Sequence, residues 1–262
     1  MSKLSTEEKF IDVSDYGRTI AVACAQKLKH TKVTAIHITL LFAVCGLIAV
    51  YCILKNYYIL AGFFLILKSI IDAIDGELAR AKQTPSYIGR YLDSVFDNIL
   101  NFLFFISICY VTLSSWWIGL IAYACMQLQG TLYNYYYVIL RTNTAGGDTT
   151  SKIFETKRPS ALLGENQKVV NVLFIMYLLL YSMYDKIIYT FDRKAYNIVS
   201  IPNWFMTMIS IYGLGFQLLI MAVMLTFGMI DFIVPFFICY TSFIVVFVTI
   251  RKVFINQRKV TK

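Results

Sequence analysis

Charge is what this chain has least of. Only 15% of its 262 residues are charged, against 58% hydrophobic, and the mean hydropathy is +0.65. That balance excludes an ordinary water-soluble domain. Paired cysteines are absent too. Cys24, Cys45, Cys52, Cys109, Cys125 and Cys239 form no CxxC pair and no metal spacing, so they read as small core residues without disulfides. No internal repeat, low-complexity tract or soluble second domain is visible. The polar start Met1-Ser2-Lys3-Leu4-Ser5 gives no sign of a cleavable signal peptide. Gly146-Gly147-Asp148-Thr149-Thr150-Ser151-Lys152 lacks the GxxxxGK[ST] spacing of a phosphate loop and follows no strand. The net charge of +9 has no soluble basic domain to carry it, so nucleic acid is not an expected partner.

What is present is long apolar sequence. Six segments, 34–54, 57–80, 91–113, 116–140, 203–226 and 231–250, approach or exceed the roughly 20 residues that a helix needs to cross a bilayer. The expected fold is therefore all-α and polytopic, with residues 34–262 as one transmembrane domain and 1–33 as a tail plus an interfacial helix. Residues 1–13 read as a solvated tail, and 14–30 as an amphipathic helix lying on the membrane.

Residues 169–184 form a shorter, more polar seventh segment, with Asn171 and Ser182 inside it. Six crossings put Lys27, Lys29, Lys32, Lys82, Arg141, Lys168, Arg251 and Lys252 on one side and leave Lys55 on the other. A seventh crossing would move the basic C-terminal tail outside, against the positive-inside rule. Residues 165–190 are accordingly expected to be interfacial or partly inserted, with both termini cytoplasmic. The loop 142–164 carries turn chemistry and reads as a connector, a lid or an acceptor-side contact.

Four aspartates interrupt the apolar runs. Asp72, Asp75, Gly76, Ala79 and Arg80 follow helical spacing on one face, and Gly89, Asp93 and Asp97 do the same eight residues later. Ionisable groups near membrane depth are costly and mark functional sites. A short connection makes the two helices antiparallel neighbours, so the four carboxylates converge. Such a cluster calls for cations, and hard oxygen donors suit Mg²⁺, Mn²⁺ or Ca²⁺. Two divalent cations gripping a pyrophosphate are the natural reading. Gly76 and Ala79 leave the helix face bare, and Arg80 offers a fork to a phosphate.

These residues match D-x₂-D-G-x₂-A-R-x₈-G-x₃-D-x₃-D, and the chain thereby resembles the CDP-alcohol phosphotransferase (CDP-alcohol phosphatidyltransferase) family. Eight fixed positions arise by accident with a frequency on the order of 10⁻⁸. The resemblance implies a homodimeric six-helix membrane enzyme with a cytoplasmically open cavity, in which a hydroxyl attacks a CDP-linked donor and CMP leaves. It implies Asp72, Asp75, Asp93 and Asp97 as ligands of two Mg²⁺ or Mn²⁺ ions and Asp97 as general base. Gly76, Ala79, Arg80 and Gly89 would line the nucleotide site. The chain departs from the family's Pro-Asn-x-x-Thr-like start to the first span, where it has Ala35-Ile36-His37-Ile38-Thr39 and keeps the threonine.

The expected reaction is transfer of a phosphatidyl group from CDP-diacylglycerol to inositol, an inositol phosphate, glycerol 3-phosphate or serine. The cationic residues Arg141, Lys152, Lys157, Arg158 and Lys168 lean the choice towards a phosphorylated polyol, although positive-inside flanks account for them as well. The alternatives are a CDP-choline or CDP-ethanolamine:diacylglycerol phosphotransferase, a cation channel or transporter using the aspartates as an ion path, and a non-catalytic or hydrolytic homologue. Lys68, one turn before Asp72, either pairs with it or reaches or snorkels along the cavity, in a structural or tuning role rather than a catalytic one. Gln127, Gln129, Asn134 and Arg141 either line an acceptor pocket or join helices. Trp116, Trp117, Trp204 and Tyr57 read as interface anchors.

Overall fold

A computed structural model describes residues 10–142, 154–155, 157–198 and 200–255. Among them there is no strand. The helices are α1 (Arg18–Leu28), α2 (Ala35–Leu54), α3 (Tyr58–Lys82), α4 (Tyr87–Val111), α5 (Trp116–Thr142), α6 (Gln167–Phe191), α7 (Asn203–Ile209), α8 (Leu214–Thr226), α9 (Ile230–Tyr240) and α10 (Phe243–Phe254).

Local chemistry sets the boundaries that matter for the site. Thr34 and His37 form a capping box at the start of α2: the Thr34 amide donates to His37 Nδ1 at 3.0 Å, and the His37 amide to Thr34 Oγ1 at 3.4 Å. α3 stops where Gln83 takes the left-handed conformation, φ 54°. Ser86 then caps α4, accepting from the Gly89 amide at 2.8 Å, a cap worth about 1 kcal/mol. Contrary to the expectation from the short connection, α3 and α4 do not pack along one another as antiparallel neighbours; both pack on α2, which brings their motif faces together.

α3 is central, packing against α1, α2 and α8, while α4 touches α2, α5 and α6. Phe42, Leu65, Phe104, Phe105 and Phe237 fill one core; Tyr136, Phe205, Tyr212 and Phe247 fill a second. Outward residues such as Leu40, Leu41, Val44, Leu47, Ile59 and Phe63 stay exposed, a lipid-facing pattern rather than a water-facing one.

Four helical stretches are long and apolar enough to cross a membrane: Ala35–Leu54, Tyr87–Val111, Gln167–Phe191 and Ile230–Phe254. The bent pair Asn203–Tyr212 and Leu214–Thr226 makes a fifth if taken as one span. α3 is 25 residues long, but Lys68, Asp72, Asp75 and Glu77 lower its apolarity. The chain is an integral membrane protein.

Two departures from expectation concern the site directly. The segment 203–226 is not one straight helix; it bends by 47°. Ser14 of the N-terminal segment packs against the break. A Cβ on Gly213 would lie 2.2 Å from Ser14 Oγ, and one on Gly215 would lie 2.0 Å from the Ser14 carbonyl oxygen. Only glycine permits that approach. Correspondingly, Phe10–Val13 do not belong to a solvated tail. Phe10 stacks edge-on against Tyr137, the Val13 amide donates to Ser210 Oγ at 3.1 Å, and Tyr133 donates to Asp12 Oδ2 at 2.5 Å. The expected tail residues 1–9 lie outside the described residues, as do Gly146, Gly147, Lys152 and most of the loop 142–164.

α6 is anchored at both ends. At its start, Glu165 accepts from Ser86 Oγ at 2.7 Å and from the Ile88 amide at 2.9 Å. At its finish, buried Asp192 pairs with Arg251 of α10 and accepts from Tyr136 of α5 at 2.7 Å.

Candidate active site

The site is assembled where α2, α3 and α4 meet. Helical spacing carries Asp72 and Asp75 on α3 to the same level as Asp93 on α4, and one carboxylate oxygen of each lies within 4.8 Å of the others. α2 contributes no acid but supplies Thr39, whose hydroxyl donates to Asp75 Oδ2 at 2.6 Å. Three carboxylates this close repel one another and lose hydration, an arrangement that needs compensating positive charge. Asp93 Oδ1 is buried without a hydrogen-bond partner among the described residues. An orphaned oxygen inside an all-carboxylate cluster fits a hard divalent cation. Asp72, Asp75 and Asp93 are therefore the residues that could hold one.

Asp97 stands apart from this triad. Its Oδ1 accepts an ion-paired hydrogen bond from the ammonium of Lys68, and Lys68 Nζ also lies 3.6 Å from Asp72 Oδ2. Lys68 is wholly buried, with Phe42 beneath its ammonium at 4.6 Å from the ring centroid. Of the two readings for Lys68, pairing with Asp72 is the one present, and a second partner on α4 accompanies it.

All four aspartates open onto a cavity of about 440 Å³. Gly76 and Arg80 line it as well; Ala79 and Gly89 do not. Gly89 sits at the α4 cap, its amide taken by Ser86. The bare face of Gly76 faces Arg80 itself, since an added Cβ would come within 3.4 Å of the guanidinium. Arg80 is steered by Glu77, which it meets at 2.7 Å; Glu77 also meets Arg18 at 3.3 Å, and Arg18 meets Asp15 at 2.8 Å. The chain Arg80, Glu77, Arg18, Asp15 forms one polar wall, half of it drawn from the N-terminal segment.

The cavity is lined further by Asn101, Gln127, Thr131 and Asn134, with Tyr177, Tyr181 and Asp185 from α6. Asn101 Oδ1 and Gln127 Nε2 are buried without protein partners among the described residues, so they are available to a ligand. Gln129 joins helices instead, donating to Phe237 O at 2.9 Å and Thr241 Oγ1 at 2.7 Å. Of the cationic residues associated with a phosphorylated acceptor, Arg141 lines the cavity; Lys157, Arg158 and Lys168 are exposed and do not.

Sequence reasoning missed Arg18, Glu77, Asn101 and Asp185. Asn101 had a readable signal: it is four residues beyond Asp97 and continues the face of Asp93 and Asp97. Arg18 and Asp185 had none, because they reach the cavity from elements distant in the chain.

The sequence profile of the CDP-alcohol phosphatidyltransferase family matches residues 32–210. A bifunctional IPC transferase and DIPP synthase of Thermococcus kodakarensis is 37% identical over 83 residues, 32% of this chain and 19% of that protein. A protein of the same description from Aquifex aeolicus is 37% identical over 57 residues, covering 22% of this chain and 13% of the relative. Each match spans less than a fifth of the relative's length.

Proposed function

Given that this chain belongs to the CDP-alcohol phosphatidyltransferase family, we propose that it transfers a phosphatidyl group from CDP-diacylglycerol to a hydroxyl of a small polar alcohol and releases CMP. Inositol, an inositol phosphate, glycerol 3-phosphate and serine are the candidate acceptors. The observation that carries the reading is the convergence of Asp72, Asp75, Asp93, Asp97 and Arg80 on one cavity. An ion path would require carboxylates spread through the depth of the bundle.

Asp72, Asp75 and Asp93 are the residues that would hold Mg²⁺ or Mn²⁺, which when bound neutralises the pyrophosphate and stabilises the leaving CMP. Arg80, fixed by Glu77, donates to a donor phosphate. Asn101 and Gln127 orient acceptor hydroxyls with their unpartnered atoms. Asp97 accepts the hydroxyl proton as the new P–O bond forms to the alcohol oxygen; the bond from the same phosphorus to the CMP oxygen breaks. Lys68 holds one Asp97 oxygen and thereby sets the orientation of the carboxylate.

Six crossings follow if α6 lies along one face of the bundle. Both of its anchors support this, since Ser86 opens α4 while Tyr136 lies near the end of α5, and α4 and α5 are joined by a tight turn at their other ends. The basic flanks then make that face, and the cavity mouth, cytoplasmic. The protein is further proposed to act as a homodimer.

Lipid product analysis tests donor against acceptor. Radiolabelled inositol, glycerol 3-phosphate or serine should enter the organic phase only with CDP-diacylglycerol. Label entering lipid from CDP-choline or CDP-ethanolamine with diacylglycerol would reverse the assignment.

A further inference from the structure

Resting on the reading of the aspartate cluster as a divalent-cation site, we infer that Lys68 is a built-in cation. Its ammonium occupies the position between Asp72 and Asp97 that a second metal ion would need. The chain then binds one divalent cation, on Asp72, Asp75 and Asp93, where four aspartates alone would take two.

The geometry separates the four carboxylates into two sets. Asp72, Asp75 and Asp93 present oxygens within 4.8 Å of one another, and Asp97 is outside that group. Asp97 is instead paired with Lys68 Nζ, which lies 3.6 Å from Asp72 Oδ2. A cation bridging Asp72 and Asp97 would have to sit against this ammonium.

Lys68 has little freedom to make way. Its side chain is 0% exposed, and the Phe42 ring lies under the ammonium at 4.6 Å. A lysine head normally snorkels to water; here the carboxylates are what satisfy it. Displacing it from both would strand an unpaired buried charge. Lysine also differs from a metal in the way that matters for Asp97. It is a point charge with rotatable donors, so it balances the carboxylate while leaving the other oxygen for a proton. Arg80, Arg18 and Arg141 also line the cavity.

Manganese binding to the purified full chain in detergent, followed by electron paramagnetic resonance with and without CMP, decides the matter. Wild type should bind one Mn²⁺ per protomer and give the signal of an isolated ion. Lys68→Met should bind two, at least tenfold more tightly at the second site than wild type does, with the spin coupling expected of ions about 4 Å apart. Lys68→Arg, which keeps the charge, should remain at one. Two ions in wild type, or one in a folded Lys68→Met, would overturn the inference while leaving the metal-dependent transferase reading intact. No Mn²⁺ on wild type would overturn both. The wild-type count decides alone should Lys68→Met fail to fold.

Discussion

The hydroxyl of Thr39 on α2 donates to Asp75 Oδ2 on α3 at 2.6 Å, both residues being buried. Thr39 thereby orients a candidate metal ligand from a helix that supplies none. Outer contacts of this kind typically change metal affinity by about 10- to 100-fold. Thr39→Val should weaken Mn²⁺ binding by that order, and Thr39→Ser should restore most of it. Equal affinities for all three proteins would remove Thr39 from the site.

Asp97→Asn keeps shape and removes the proton acceptor. Turnover should fall by about 10²- to 10⁴-fold, the usual contribution of a general base, while binding of CMP is largely retained because the triad is untouched. Titration calorimetry with CMP alongside steady-state rates separates the two effects. Retained turnover would place the base elsewhere.

Chelation should abolish activity. After EDTA treatment and removal of the chelator, Mg²⁺ or Mn²⁺ should restore CMP release, since hard oxygen donors favour these ions. A rate indifferent to EDTA would rule out metal dependence.

Asp192 and Arg251 form an ion pair whose side chains are 0% and 3% exposed. Removing the carboxylate leaves a buried guanidinium without its counter-charge, a loss of about 3–5 kcal/mol. Asp192→Ala should therefore melt well below wild type in detergent. Asp192→Leu combined with Arg251→Met should recover much of the deficit, because replacing both partners strands neither charge. A double variant as unstable as the single one would show that the pair does more than balance itself.

The candidate aspartate face was legible because it obeys local rules. Helical spacing aligns Asp72 with Asp75 and Asp93 with Asp97; the expected side-by-side packing of the two helices is not what joins them, since α3 and α4 each pack on α2. The apolar runs 34–54 and 57–80 also foretold α2 and α3 to within two residues, since run length and the stops at Thr34 and Gln83 are encoded nearby. What could not be read depends on contacts across the chain. Ser14 packs against the bend before α8, and the Arg80 wall is completed by Arg18. Tyr133 meets Asp12 from 121 residues away. Lys68 lies between these cases: its i,i+4 partner Asp72 was visible, whereas Asp97 entered only once α3 and α4 were both packed on α2.

Transfer to a polar alcohol is read out by acceptor-dependent CMP release. Purified protein in Mg²⁺ and detergent is given CDP-diacylglycerol with inositol, inositol phosphate, glycerol 3-phosphate or serine in turn. CMP release should depend on one of these alcohols and be lost in Asp93→Asn. Release at the same rate with no alcohol present, or no release with any of them, would contradict transfer to a polar alcohol.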